Sequence, residues 1–314
     1  MLKVGIVGVG GISGAHIPAW RSLEGVEIVA ICDVRAEQME PYPELRHYLD
    51  FDEMLDKEEL DIVDVCLPTY LHAEYSVKAM ERGLHVLCEK PVSLSVEDID
   101  KMYDTAKRKK VKFMVAQVLR FWPQYELIKE LYDTKKYGKL LSGFMRRLGA
   151  RPGWSFENWM TDEKRSGLVP FDLHIHDLDF MIYTFGEPKK IKSNRVKRPE
   201  QDFMNIVYEY QDFFIEAESS WYACPFPFQA GFRFVFEEAI VTYDGGMCMV
   251  YEKSGNIIDL SVEAEGDTGS INLPKSDAYT EEIRYFLSCV QKDNPVEKVK
   301  PEELRTVIQI LKNI

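Results

Sequence analysis

The sequence predicts an α/β protein in two parts: a doubly wound parallel sheet first, then an α+β part built on a largely antiparallel, open sheet. Three observations carry this. From residue 2 to about 118, near-continuous apolar segments alternate with helical ones, the pattern of parallel strands covered by helices on both faces. From about Lys189 to Leu260 the chain reads instead as consecutive strands. At 314 residues the chain suits two domains better than one.

The first five strands read "KVGIVG", "EIVAIC", "DIVDVCL", "LHVLCE" and "KFMVAQ". Between two of them lies "HAEYSVKAMERG", where Tyr75, Val77, Ala79 and Met80 form an apolar stripe and Gly83 stops the helix. After Pro123 the pattern changes. A helix, "QYELIKELYDTKKYG", leads into "LLSGFMRRLGA" and a Trp-rich loop from Arg151 to Ser166. Strands follow, with "DGG" at Asp244 to Gly246 as a hairpin turn. Two helices, near Tyr279 to Gln291 and Pro301 to Asn313, end the chain. The expected domains are therefore 1–119 and 120–314.

Composition narrows the function classes. Hydrophobic content of 46% is ample for sizeable cores, and a net charge of −13 disfavours nucleic acid or anionic membrane as partner. The densest basic run, Lys107 to Lys110, closes a predicted helix, where it complements the helix dipole. The chain starts directly on a strand, without the basic region of a signal peptide, and no apolar run approaches a membrane span. The six cysteines lack metal-binding spacing. Buried, reduced thiols and a cytoplasmic location are expected.

"VGIVGVGGISGAH" places Gly8, Gly10 and Ser13 in a G-x-G-x-x-S pattern between a strand and a helix. Gly8 permits the tight turn, Gly10 lets backbone approach a pyrophosphate, and a small third residue allows helix–strand packing. With Gly11 and Ile12 they would present the helix N-terminus to an anion, as in a Rossmann-type domain. Asp33, ending the second strand, can accept from an adenosine ribose diol and favours NAD. Arg35 leaves NADP open, since it could reach a 2′-phosphate. The bland alternative is a glycine turn in an unrelated α/β protein.

The stretch "VCLPTYLHAEYSVKAMERGLHVLCEKPVSLS" is the most informative. A strand ends at Leu67, His72 opens a helix, and Glu89-Lys90-Pro91 follows one strand later. This resembles the Gfo/Idh/MocA oxidoreductase family, which includes inositol dehydrogenases and glucose–fructose oxidoreductase. The resemblance continues through "RFWPQYELIKEL" and "PFDLHIHDLDF". It implies that Lys90 lies beside the nicotinamide and the reacting carbon, that the Lys90–Pro91 bond is cis, and that Leu67, His72 and Glu89 contact the cofactor. Here Leu67-Pro68-Thr69 stands where the family usually has Thr-Pro-Asn.

"PFDLHIHDLDF" holds two histidines and three aspartates. The segment Phe171 to Phe185 reads as a helix with Leu178, Met181, Ile182 and Phe185 as its apolar stripe. At about 100° per residue, His174 and His176 point roughly 200° apart and cannot grip one metal. Asp172, His176 and Asp179 share a face. By resemblance His176 is the general acid/base, and Asp172 contacts a substrate hydroxyl or tunes the imidazole. Asp172 as helix N-cap, Asp179 as a structural residue, and His174 as pocket lining or filler are the competing readings. Arg151, Trp154 and Trp159 would border the pocket or pack inside.

The expected protein is an NAD(P)-dependent dehydrogenase or reductase of a sugar, polyol or related hydroxy compound, with Lys90, Asp172 and His176 as its catalytic residues and no metal. Its rivals are oxidation–elimination chemistry on glycosides with retained NAD, a non-catalytic dinucleotide sensor, and a metal hydrolase. The open sheet predicts a homo-oligomer, dimer or tetramer.

Overall fold

The computed structural model describes residues 1–261 and 277–314. Strands β1 (Leu2–Val7), β2 (Val26–Cys32), β3 (Arg46–Tyr48), β4 (Ile62–Val65), β5 (His85–Glu89) and β6 (Phe113–Ala116) are parallel in the order β3-β2-β1-β4-β5-β6. Every residue of β4 and β6 is buried, as strands covered on both faces must be. Strand order reverses between β1 and β4, the switch point where open α/β sheets bind ligands. The connecting helices are α1 (Ser13–Arg21), α2 (Phe51–Lys57), α3 (His72–Glu81) and α4 (Val96–Lys109). Ser95 caps α4 by accepting from the Asp98 amide, and the basic run closes it with Lys110 left-handed at φ 58°. The three-residue edge strand β3 carries no apolar alternation and is invisible in the sequence.

The second part contains α5 (Pro123–Thr134), β7 (Leu140–Ala150), the short α6 (Glu163–Ser166) and α7 (Ile175–Phe185). There follow β8 (Lys190–Arg198), β9 (Gln201–Glu209), β10 (Phe214–Tyr222), β11 (Gln229–Phe236), β12 (Ala239–Asp244), β13 (Met247–Glu252) and β14 (Ile257–Asp259). They form one sheet, β14-β13-β12-β11-β7-β10-β9-β8, antiparallel except for the β7–β10 pair. The predicted hairpin turn is present, with Gly245 and Gly246 at φ 55° and 91°. Along β9, Met204, Ile206 and Tyr208 are buried while Phe203, Asn205 and Val207 are half-exposed, so one face is core and the other open. Tyr125 of α5 meets Phe180 of α7 and Phe232 of β11 edge-on, with centroids 5.0 and 5.1 Å away.

The two last helices correct the expected domain division. α8 (Ala278–Gln291) and most of α9 (Pro301–Leu311) belong to the compact unit formed by residues 1–118, not to the unit of residues 119–261 and 309–314. α8 packs on α1, which buries Ile17, Ala19 and Trp20. Lys112 pairs with Asp293 at 2.7 Å and Arg305 with Asp100 at 2.5 Å. A long-range partner of this kind leaves no mark in chain order. The cysteines are free, but Cys224 is exposed rather than buried. Among the described residues no helix is long and apolar enough to cross a membrane.

The helix expected from Phe171 begins differently: one π turn, Pro170–His174, precedes α7. Three acidic and imidazole groups of this segment turn inward. Asp179 takes a bidentate pair from Arg120, at 2.8 and 2.6 Å, with both side chains essentially unexposed. Asp177 accepts from Arg147 at 3.0 Å, and Arg147 also donates to the Tyr125 hydroxyl at 3.3 Å. His174 is fully buried, 2.5 Å from the Tyr208 hydroxyl and 3.2 Å from Ser219 Oγ. Burial, seconded by the Arg147 charge, pushes its pKa down to about 3, so the ring is neutral. His174 is a core residue, not pocket lining.

Asp179→Ala would leave Arg120 charged and buried, so a loss of about 3–5 kcal/mol in urea unfolding is expected. A loss below about 1 kcal/mol would show that this pair does not fix α7. His174 binds its proton less tightly folded than unfolded. Stability is therefore present in full above the ordinary value of 6.5 and falls as pH drops from there toward about 3. His174→Gln, still able to bond Tyr208 and Ser219, should narrow its gap in urea midpoint to the parent protein between about pH 7 and pH 4.5. An unchanged gap would remove His174 from the acid response.

Candidate active site

In the first unit, Gly8, Asp33, Leu67 and Glu89-Lys90 follow the carboxyl ends of β1, β2, β4 and β5, four neighbouring strands. Gly8 sits at φ 91°, and a Cβ there would stand 2.4 Å from the Cys66 carbonyl oxygen, so only glycine fits. A Cβ at Gly10 would meet nothing within 4 Å, leaving open space beside the backbone where a pyrophosphate would approach. Ser13 Oγ donates to the Gly10 carbonyl at 2.6 Å, which closes the loop as the small third residue should. Gly11 and Ile12 are half-exposed at the start of α1, which has no side-chain cap. Its first amides are thus not occupied by a capping side chain, and an anion suits them.

Asp33 has two jobs. Its Oδ2 accepts from the Val9 amide at 2.9 Å, bracing the glycine loop. Its Oδ1 accepts from the Arg35 amide at 2.9 Å and from Arg35 Nε at 3.3 Å. A carboxylate has further lone pairs for a ribose diol. These features fit NAD: an open glycine loop, an uncapped helix start and a fixed acid at the end of β2.

Around Lys90 the structure refines the sequence reading. The Lys90–Pro91 bond is cis, as the resemblance implied, and Lys90 is half-buried. His72 is 1% exposed, with Nδ1 2.7 Å from the Pro91 carbonyl and Nε2 2.7 Å from the Leu67 carbonyl. It clamps the two turns together rather than offering a ring nitrogen to a ligand. Burial pulls its pKa below the ordinary value although both carbonyls favour the protonated ring. The Glu89 carboxylate also faces inward: Oε2 accepts from the Lys90 amide at 3.0 Å and Oε1 lies 2.9 Å from His16 Nε2. Both side chains, expected to contact the cofactor, are thus engaged with protein groups of the two turns and of α1.

Sequence reasoning missed His16 and Asp64. Among the described residues, His16, Asp64 and Cys66 are the cluster whose donor atoms lie within 4.8 Å of one another, as in a metal site. Hydrogen bonding describes it better. His16 Nδ1 is 2.8 Å from Asp64 Oδ2, which also accepts from Trp20 Nε1 at 2.7 Å, and both ring nitrogens face carboxylates. Burial pushes the Cys66 thiol up to about 12, so it stays protonated and is a poor ligand. Burial also opposes a charged His16, yet the Asp64 carboxylate overrides it and holds that pKa well above the ordinary value. The available signal was an acid inside the otherwise apolar "DIVDVCL".

In the second unit, Asp172 and His176 alone stay half-exposed between Phe171 and Phe180, which puts both on the open side of an otherwise buried segment. Asp172 lies within the π turn and does not cap it. Trp154 is 67% exposed, which rules out the packing reading for that side chain, while Arg151 and Trp159 are half-buried. An imidazole with a neighbouring carboxylate can accept a proton near neutral pH.

Comparison with known proteins identifies the family. Residues 2–117 match a family model described as an oxidoreductase family with an NAD-binding Rossmann fold, and residues 125–272 match the GFO/IDH/MocA C-terminal domain. Glucose-6-phosphate 3-dehydrogenase of Bacillus subtilis is 26% identical over 93% of this chain and 90% of its own length. Two further relatives align over only about half their own length. D-glucoside 3-dehydrogenase of Escherichia coli is 30% identical over 60% of this chain and 55% of its own. Myo-inositol 2-dehydrogenase of Thermotoga maritima is 27% identical over 59% and 55%. Levoglucosan dehydrogenase, solved with NADH and L-sorbose, superposes with a TM-score of 0.85 at 18% identity, covering 100% of this chain and 96% of that one. Fold, glycine loop and family models together show that the chain belongs to the GFO/IDH/MocA oxidoreductases and carries their NAD-binding Rossmann domain.

Proposed function

We propose that the protein oxidises a secondary alcohol of a sugar or polyol, or reduces the matching ketone. One observation carries the reading. Of the acid and imidazole groups on the segment from Pro170 to Phe180, Asp177, Asp179 and His174 are buried, whereas Asp172 and His176 are half-exposed. In the oxidative direction His176 takes the hydroxyl proton and the carbon gives up its hydride, which nicotinamide accepts when bound. Asp172 orients the imidazole and stabilises its protonated form. Lys90 stabilises the alkoxide-like oxygen through its charge. Asp33 at the end of β2 favours NAD over NADP, since a 2′-phosphate would meet a carboxylate. The dehydrogenases of glucose 6-phosphate, D-glucosides and myo-inositol support a ring alcohol as substrate.

One relative favours a second reading. The 2,7-anhydro-N-acetylneuraminate hydratase of Mediterraneibacter gnavus is 32% identical over 58% of this chain and 48% of its own length. A hydratase causes no net oxidation, so transient redox with retained NAD is the alternative use of the same residues. Self-association through the open face of the second sheet is a further part of the proposal. That face mixes apolar Phe144, Val207 and Val235 with Glu216, Glu218 and Arg233, so two copies related by a two-fold axis can pair charge with charge.

Glucose 6-phosphate, methyl D-glucosides and myo-inositol, each offered with NAD+ and NADP+, should give absorbance of the reduced cofactor with NAD+ for at least one substrate. Turnover without net NADH would select the retained-cofactor reading. His176→Ala and Lys90→Ala are expected to lower kcat by about 10²–10⁴-fold while NADH binding persists. Parallel loss of NADH binding would count against both assignments. Val207→Glu with Val235→Glu should convert an oligomer to monomer in light scattering, and a monomeric parent protein would sink the interface.

A further inference from the structure

The reaction proposed above leaves three buried polar groups unused: His16 one turn into α1, Asp64 in β4, and the Glu89 carboxylate ending β5. His16 and Asp64 are wholly unexposed and Glu89 is 5% exposed. The imidazole bridges the two acids, 2.8 Å from Asp64 Oδ2 and 2.9 Å from Glu89 Oε1. Carboxylates only accept, so two such contacts require a proton on each ring nitrogen. Trp20 Nε1 and the Cys66 thiol also donate to Asp64, at 2.7 and 3.6 Å. The Tyr279 ring of α8 lies tilted against the imidazole, its centroid 6.1 Å from that of His16, and the same helix carries the buried Glu282.

Stability alone does not call for this arrangement. Apolar side chains of equal volume would fill the space as well, because desolvating the ions roughly offsets their attraction. Direction is what the polar version supplies. Glu89 Oε1 is fixed by His16, and Oε2 then receives the Lys90 amide at 3.0 Å. The helix that opens at the glycine loop is thereby tied to the turn that carries Lys90.

We propose that His16, held between Asp64 and Glu89, is a positioning residue that sets the Lys90 turn against the glycine loop. His16 is fully buried with its ring nitrogens on Asp64 and Glu89, so it acts through Glu89 and the Lys90 backbone. The proposal rests on Lys90 assisting the reaction. Two arms of the test separate a failure of that reading from a failure of this one.

The first arm needs no substrate. In the full-length protein with ¹⁵N-labelled histidine rings, one imidazole, absent from His16→Gln, should still show both nitrogens protonated above the ordinary histidine value of about 6.5. The Lys90 amide should exchange with solvent about tenfold faster in His16→Gln than in the parent. A singly protonated ring or an unchanged exchange rate overturns the proposal whatever the enzyme oxidises. The second arm uses a substrate that the parent protein turns over. His16→Gln should lower kcat about 10²-fold while KM and the NADH dissociation constant move only a few-fold. In the Lys90→Ala background the same change should have no further effect on kcat. Additive losses would mean that His16 does not act through Lys90. Should His16→Gln fail to fold, Asp64→Asn, which keeps an acceptor of the same shape, is expected to show the same coupling at smaller amplitude.

Discussion

The first unit depends on a close approach of two backbones. The loop after β1 runs so near the end of β4 that a single methyl group at Gly8 would fall 2.4 Å from the Cys66 carbonyl oxygen and 2.7 Å from its carbon. Both backbones are tied into strand pairing, the Cys66 amide donating to the Val7 carbonyl and the Gly8 amide to the Cys32 carbonyl. That contact lies at the point where strand order reverses. It brings the glycine loop, the Leu67 turn and, through the His72 clamp, the Lys90–Pro91 turn into one assembly. The Asp33 carboxylate completes the brace from the β2 side by holding Val9. Each tie uses a backbone group, so the geometry tolerates wide variation in the side chains around it.

The second unit solves a different problem, which is how to bury several polar groups on a helix that is otherwise core. Polar groups facing inward must be paired, because an unpaired buried charge is far more costly than a paired one. Arg120 and Arg147 each answer one aspartate, while the Tyr208 hydroxyl and Ser219 answer His174. The neutral state of His174 follows from the same logic. A second charged ring beside Arg147 would add repulsion to desolvation, and both act in one direction. Asp172 and His176 are the half-exposed acid and imidazole of this segment.

Much of this was legible beforehand. Period-two and period-3.6 patterns located the long strands and helices, and the glycine spacing located the dinucleotide loop. Helical phase alone separated His174 from His176. What stayed hidden were long-range partners. Nothing local marks α8 as a neighbour of α1, Arg120 as the partner of Asp179, or His16 as the partner of Glu89. The edge strand β3 lacked any pattern because it has almost nothing to bury. His72 and Glu89 were placed correctly along the chain, but the direction of their side chains depends on contacts many residues away.

The π turn before α7 also has a physical origin that the residues themselves disclose. Leu168 is left-handed at φ 60°, an arrangement that costs a residue with a Cβ about 1–2 kcal/mol. Gly167 before it is at φ 75°, where a Cβ would strike the Phe171 ring at 2.4 Å. Pro170 removes one backbone donor. The chain is thus forced through a narrow bend and then into a wide turn, and the amides of Phe171 and Asp172 both return to the Leu168 carbonyl, at 3.1 and 2.9 Å. Strained backbone of this kind persists only where surrounding contacts over-determine it. Here the Val169 amide is drawn to Asp202 Oδ2 at 3.4 Å and Phe171 is buried, so the bend is held from both sides. Its consequence falls on Asp172, whose position relative to His176 is set by the bend rather than by helix propensity.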